Sequence, residues 1–141
     1  MFCGAVGDVA GTREIKFVTE REPQDIRKRA YQYALRAIRL HQFLQKQRNS
    51  AGWLIGKQYL RSATSIGANI EEAQGSESRA DFVHKLGIAQ KEAPECLFWL
   101  RLLADSRILP NARLKLLTRE TNELIAVITT IVVNTKSRRP A

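Results

Sequence analysis

Ser78-Arg-Ala-Asp-Phe-Val-His-Lys-Leu-Gly-Ile-Ala-Gln-Lys-Glu-Ala-Pro-Glu-Cys-Leu-Phe-Trp-Leu-Arg-Leu-Leu103 carries small or apolar residues at alternating intervals of four and three: Phe82, Leu86, Ala89, Ala93, Cys96, Leu100 and Leu103. That interval puts all of them on one side of an α-helix, as a single stripe that must be buried against other helices. Ser78 with Asp81 three residues on has the form of a capping box, so the helix is predicted to start there and to run to about Ser106. Pro94 removes a backbone donor and costs about 3 kcal/mol in a helix interior. It predicts a kink, or two shorter helices.

The same spacing continues outward on both sides. Upstream, Tyr59, Ala63, Ile66, Ile70 and Ala73 form the stripe of a helix predicted over Trp53 to Gln74, ended by Gly75. Before it, Ile26, Ala30, Tyr33, Ala37, Leu40 and Leu44 predict a helix from Pro23 to about Gln47, and Asn49, Ser50 and Gly52 make the turn. Ser62, Ser65 and Asn69 flank the second stripe and read as interhelical hydrogen-bonding groups that fix register. Downstream, Pro110 opens a fourth helix with stripe Leu114, Leu117, Thr121, Leu124, Ile128 and Ile131. Four helices of about 22 to 28 residues joined by short turns predict an all-α, antiparallel up-down-up-down four-helix bundle over residues 23–136. Residues 1–22, with Gly4, Gly7 and Gly11 and no burying period, read as a mobile tail, with a short strand over 15–19 as the alternative. Residues 137–141 read as a basic C-terminal tail.

The chain has 141 residues, 44% hydrophobic and 26% charged, the composition of one globular domain. Cys3 and Cys96 cannot build a disulfide framework, no secretory leader pattern is evident, and the most apolar stretch, Leu124 to Val133, contains Thr129 and Thr130. The expectation is a cytoplasmic protein without a membrane partner. Twenty-three basic against fourteen acidic residues give a net charge of +9, which points to a polyanion as partner.

Arg61-Ser-Ala-Thr-Ser-Ile-Gly-Ala-Asn-Ile-Glu-Glu-Ala-Gln-Gly75, then Ser78 to Leu86, Ala89-Gln-Lys-Glu-Ala93 and Trp99-Leu-Arg-Leu-Leu103, resemble the bacterial four-helix-bundle family encoded within intervening sequences of 23S ribosomal RNA genes. The family is in turn similar to the accessory variability determinant of diversity-generating retroelements. The resemblance spans roughly residues 22–136. It implies a ring-like homo-oligomer, usually a pentamer, with nucleic acid and a reverse transcriptase among its partners, and it carries over no catalytic residues.

Charge is unevenly placed along the chain. Residues 25–48 hold seven basic residues and one acidic, and residues 107–139 hold seven and two. The first and last helices of an up-down bundle are neighbours, so their charges are expected to form one basic side that tracks RNA or DNA phosphates without sequence preference. The candidate residues are Lys28, Arg29, Arg36, Arg39 and Lys46 on the first helix and Lys115 and Arg119 on the fourth. Tyr31, Leu35, Ile38 and Phe98 lie off their stripes and are candidate oligomer contacts. Trp53 and Trp99 read as packing residues, and there is no aromatic series suited to stacking bases, so single-strand readout by stacking is not expected.

Enzymatic readings find little support. A di-iron carboxylate bundle needs two Glu-x-x-His units, and the chain offers only Asp81-x-x-His84. Arg36 to His41 and Arg79 to His84 have the Arg-x4-His spacing of certain metal-independent ribonucleases, but alanine follows each arginine. No glycine-rich phosphate loop, zinc-ligand spacing or Ser/His/Asp set is present, so no cofactor or metal is expected. The reading is a non-catalytic nucleic-acid-binding accessory protein, with a protein-binding scaffold and a ribonuclease as alternatives.

Overall fold

The structure is a computed structural model that describes residues 11–138, with side-chain surroundings from residue 26 onward. It consists of α1 (Gly11–Lys46), α2 (Ser50–Ala73), α3 (Arg79–Asp105) and α4 (Asn111–Ser137). Each helix packs on its chain neighbours, and α1 closes against α4, so the antiparallel four-helix bundle is the architecture observed. The α1–α4 seam is the loosest of the four contacts.

The stripes are the core. Ile26, Ala30, Tyr33, Ala37, Leu40 and Leu44 of α1 are buried, as are Tyr59, Ala63, Ile66, Ile70 and Ala73 of α2. Leu86 through Leu103 of the α3 stripe and Leu114 through Ile128 of the α4 stripe join them. Phe82, in the first turn of α3, is half-buried. At the end of α4, Val132 takes the buried place expected for Ile131, because a 3.6-residue period drifts past a strict seven-residue repeat by about 20° per heptad.

One expected boundary is corrected. Helix α1 begins at Gly11, not Pro23, so Pro23 lies inside it and the segment read as a tail or strand is helical over residues 11–22. A helix already nucleated by a packed face propagates through good helix formers, and Glu14, Lys16, Glu20 and Arg21 are of that kind. The part of the expected tail over residues 1–10, and residues 139–141, lie outside the described residues. Helix α3 runs from Arg79 to Asp105 as the one helix expected, which excludes the alternative of two shorter helices, and Pro94 sits on its exposed side.

Caps and close approaches set the ends and the spacing. Ser78 Oγ accepts from Asp81 N at 3.1 Å, and Asn49 Oδ1 accepts from Gly52 N at 2.9 Å. A Cβ on Gly56 would lie 2.6 Å from Leu44 Cδ1, so glycine there lets α1 and α2 approach closely. Inside the bundle, Thr121 Oγ1 donates to Leu117 O at 2.7 Å, which leaves Tyr33 Oη, 2.6 Å away, to donate to Thr121. Ser62 bridges α2 to Glu95 of α3 at 2.6 Å, as its position predicted. Asn69 and Ser65 do not bridge helices: Asn69 Nδ2 donates to Ser65 O one turn back, at 2.8 Å.

Candidate nucleic-acid interface

The cations expected along the α1–α4 side divide into two groups. Arg29 Nη2 lies 2.7 Å from Glu123 Oε1, and Arg36 pairs with Glu120, so both guanidinium groups are held by carboxylates of α4. They line a groove of about 320 Å³ with Lys28, Gln32, Tyr33 and Leu124. Lys28, Arg39, Lys46, Lys115 and Arg119 are exposed and have no carboxylate partner among the described residues. Lys115 and Arg119 border a shallower hollow on the outer face of α4. The expected basic side is therefore partly neutralised along its length.

The excess charge collects instead at one end of the bundle. An up-down topology brings the α1–α2 and α3–α4 turns to the same end, and two contacts fix this. A Cβ on Gly52 would meet Ile108 Cγ2 at 2.9 Å, and the Arg113 guanidinium carbon lies 3.7 Å from the centre of the Phe43 ring. The segments composing this end, residues 39–58 and 100–116, contain Arg39, Lys46, Arg48, Lys57, Arg101, Arg107, Arg113 and Lys115, and one carboxylate, Asp105. All eight cations are exposed, and among the described residues only Arg101 has an acidic partner, Asp105 at 3.7 Å. Toward the opposite end, Arg27 pairs with Glu71 and Lys85 with Glu72, each at 3.0 Å.

The turns at the cationic end have an unusual choice of residue. Arg48 and Arg107 have φ of 54° and 62°, in the left-handed region that glycine or asparagine enters most easily. Around Arg107 the helix end is a Schellman motif, with Ile108 N donating to Leu103 O at 3.1 Å and Arg107 N to Ala104 O at 3.0 Å. An arginine occupies the position where glycine is usual. The first turns of α2 and α4, also at this end, contain no acidic residue to offset their positive dipole ends.

Sequence reasoning found Arg39, Lys46 and Lys115 of this cluster and missed Arg48, Lys57, Arg101, Arg107 and Arg113. Of the expected oligomer contacts, Tyr31, Ile38 and Phe98 are 63%, 38% and 53% exposed, whereas Leu35 is half-buried. Tyr31 borders a groove between α1 and α2 with Arg27, Ala34, Thr64, Gly67 and Glu71.

Arg36 turns to α4, while His41 turns to α2 beside Trp53 and Gly56, so the two residues of that Arg-x4-His pair diverge. Arg79 donates to the Arg138 carbonyl. Burial pushes the Cys96 thiol up to about 12, which keeps it protonated at neutral pH. Glu95 accepts from Ser62, Trp99 at 3.0 Å and Arg61 at 2.5 Å, and these bonds hold its carboxyl below the usual range. Among the described residues, no group of three His, Cys, Asp or Glu side chains is placed to hold a metal ion, and no helix is long and apolar enough to cross a membrane.

Fold and surface together define an all-α four-helix bundle with a cationic end. Residues 22–130 match the family described as 23S rRNA-intervening sequence protein, and the chain belongs to that family. A crystal structure of a protein of unknown function from the S23 ribosomal protein family, from Bacteroides thetaiotaomicron VPI-5482, is similar to it, with a TM-score of 0.73 and 34% sequence identity. The likeness covers 79% of this chain and 97% of that one. No match is found among curated proteins.

Proposed function

We propose that the protein is a non-catalytic, homo-oligomeric nucleic-acid-binding protein of the cytoplasm, which grips RNA or DNA phosphates through the cationic end of its bundle. The observation that carries the reading is the gathering of eight exposed cations against one carboxylate where the two turns meet. Phosphate contacts dominate affinity for nucleic acid and need no sequence-specific geometry, so a cluster of arginine and lysine on short turns and helix ends suffices. Side-chain packing pre-orients part of it: the Arg113 guanidinium is held over the Phe43 ring, 3.7 Å from its centre. The exposed Tyr31, Ile38 and Phe98 support self-association, and a ring of five copies would repeat the cationic end around its axis and multiply weak affinity into avidity.

The test is fluorescence anisotropy of labelled RNA and duplex DNA across a salt series. Binding at micromolar concentration or tighter is expected, with log affinity falling against log salt with a slope of about −4 for five phosphates. Replacing Arg39, Lys46, Arg113 and Lys115 by glutamine flattens that slope, and replacing Arg29 and Arg36 leaves it nearly unchanged. Absent binding at physiological salt overturns the proposal and leaves a protein-binding scaffold.

A further inference from the structure

The cationic end also carries an indole that packing does not consume. Trp53 stands in the first turn of α2 and is 41% exposed, next to Gly52, which seats on Ile108 of the α3–α4 turn. The Asn49 cap fixes that turn, so the ring is held on a rigid element. His41 supports it from α1, with ring centres 6.5 Å apart and 40° between planes. The Lys57 ammonium lies 5.3 Å from the centre of the ring.

We infer that Trp53 is a stacking platform for an unpaired base, and that the cationic end prefers single-stranded nucleic acid to duplex. The inference rests on the proposed function and names its substrate class. An exposed indole flanked by cations is suited to this ligand chemistry because every unpaired base presents an apolar π-face between phosphates. A duplex keeps those faces stacked inside and offers this end only its backbone. The chain holds no series of aromatics, and none is required: one platform positions one base, and Arg48, Arg107 and Lys57 meet the phosphates on either side. Lys57 is exposed on a flexible stem, so it exchanges the ring for a phosphate when a base arrives.

The experiment titrates the full chain with oligodeoxythymidine of about 15 nucleotides and with a blunt duplex of the same length, by anisotropy and by tryptophan emission. Expected are quenching by the single strand and none by the duplex. Trp53→Leu should weaken single-strand binding about ten-fold and leave duplex binding unchanged, while Trp53→Phe keeps most of the affinity. Equal loss on both ligands, or no loss on either, overturns the platform and leaves the phosphate reading standing. If the wild type binds neither ligand, both readings fall together. Size-exclusion chromatography and thermal melting of each variant accompany the titration, and a change of assembly state in Trp53→Leu overturns the inference by showing that a second copy covers the ring.

Discussion

Arg48 and Arg107 occupy equivalent places in the two turns that meet at one end of the bundle, each with positive φ, 54° and 62°. A left-handed conformation costs an L-residue roughly 1–2 kcal/mol relative to glycine, offset in part by the greater freedom of glycine in the unfolded chain. Stability and charge are therefore in opposition at both positions. Arg48→Gly and Arg107→Gly are each expected to raise stability by about 0.5–1 kcal/mol, near 2–3 °C in melting temperature, and to weaken nucleic-acid binding. Paired thermal melts and salt-dependent titrations read the two effects. Loss of stability in both variants would show that the arginine side chains support the fold.

The pairing of Arg29 with Glu123 and of Arg36 with Glu120 takes two expected phosphate ligands out of use. Both pairs are partly exposed, and ion pairs reached by water are worth only about 1 kcal/mol, so dissolving them should leave the bundle folded. The double variant Glu120→Gln, Glu123→Gln is expected to bind nucleic acid more tightly than the wild type, with a salt slope steeper by up to about 2 as two guanidinium groups become free. Unchanged affinity and slope would place the α1–α4 side outside the interface.

Tyr33 and Tyr59 are both buried in the core, ring edge to ring face at 6.3 Å and 75°, yet their hydroxyls differ. Tyr33 donates to Thr121 at 2.6 Å, and Tyr59 Oη has no hydrogen-bond partner among the described residues. A net hydrogen bond contributes about 1 kcal/mol, whereas an unpaired buried hydroxyl is a cost. Tyr33→Phe is expected to destabilise by about 1 kcal/mol, and Tyr59→Phe to be neutral or stabilising, by urea denaturation. Equal losses in the two variants would mean that the Tyr59 hydroxyl is satisfied in solution.

The contrast between core and surface shows what a sequence records. The stripes of α2 and α3 were legible because burial repeats every turn along one helix, so Ile66 announces Ile70 and Leu100 announces Leu103. Even the buried Thr121 was placed by period alone. The interface was legible only in part, because its residues lie in two segments that topology brings together. Summing charge helix by helix found Lys46 and Lys115, but the end-to-end asymmetry emerges only when the turns of Arg48 and Arg107 are set side by side. Partners across the α1–α4 seam depend on helix rotation, which is why Arg29 and Arg36 were read as free cations. Trp53 was read as packing because its exposure depends on how α2 is seated against His41 and the α3–α4 turn.

Glu95 ties α3 to α2 through two donors, Ser62 and Arg61, and accepts a third bond from Trp99 one turn along its own helix. Those bonds lower its carboxyl below the usual range, the Ser62 bond most, followed by Trp99. A group whose folded pKa is depressed adds stability that is fully present above its unfolded pKa and is lost as pH falls through the folded value. The wild-type urea midpoint is therefore expected to hold from about pH 7 down to the ordinary carboxylate range near 4.3 and to drop below it. Glu95→Gln cannot ionise, so its midpoint is lower at neutral pH and falls less on acidification. Arg61 is exposed and its Coulombic share is screened by salt, whereas the Ser62 and Trp99 bonds are short-ranged, so added salt should change the difference little. Trp99 emission reports the same transition locally, since its indole donates to the titrating oxygen at 3.0 Å. Parallel acid profiles for the wild type and Glu95→Gln would show that other carboxylates carry the pH dependence.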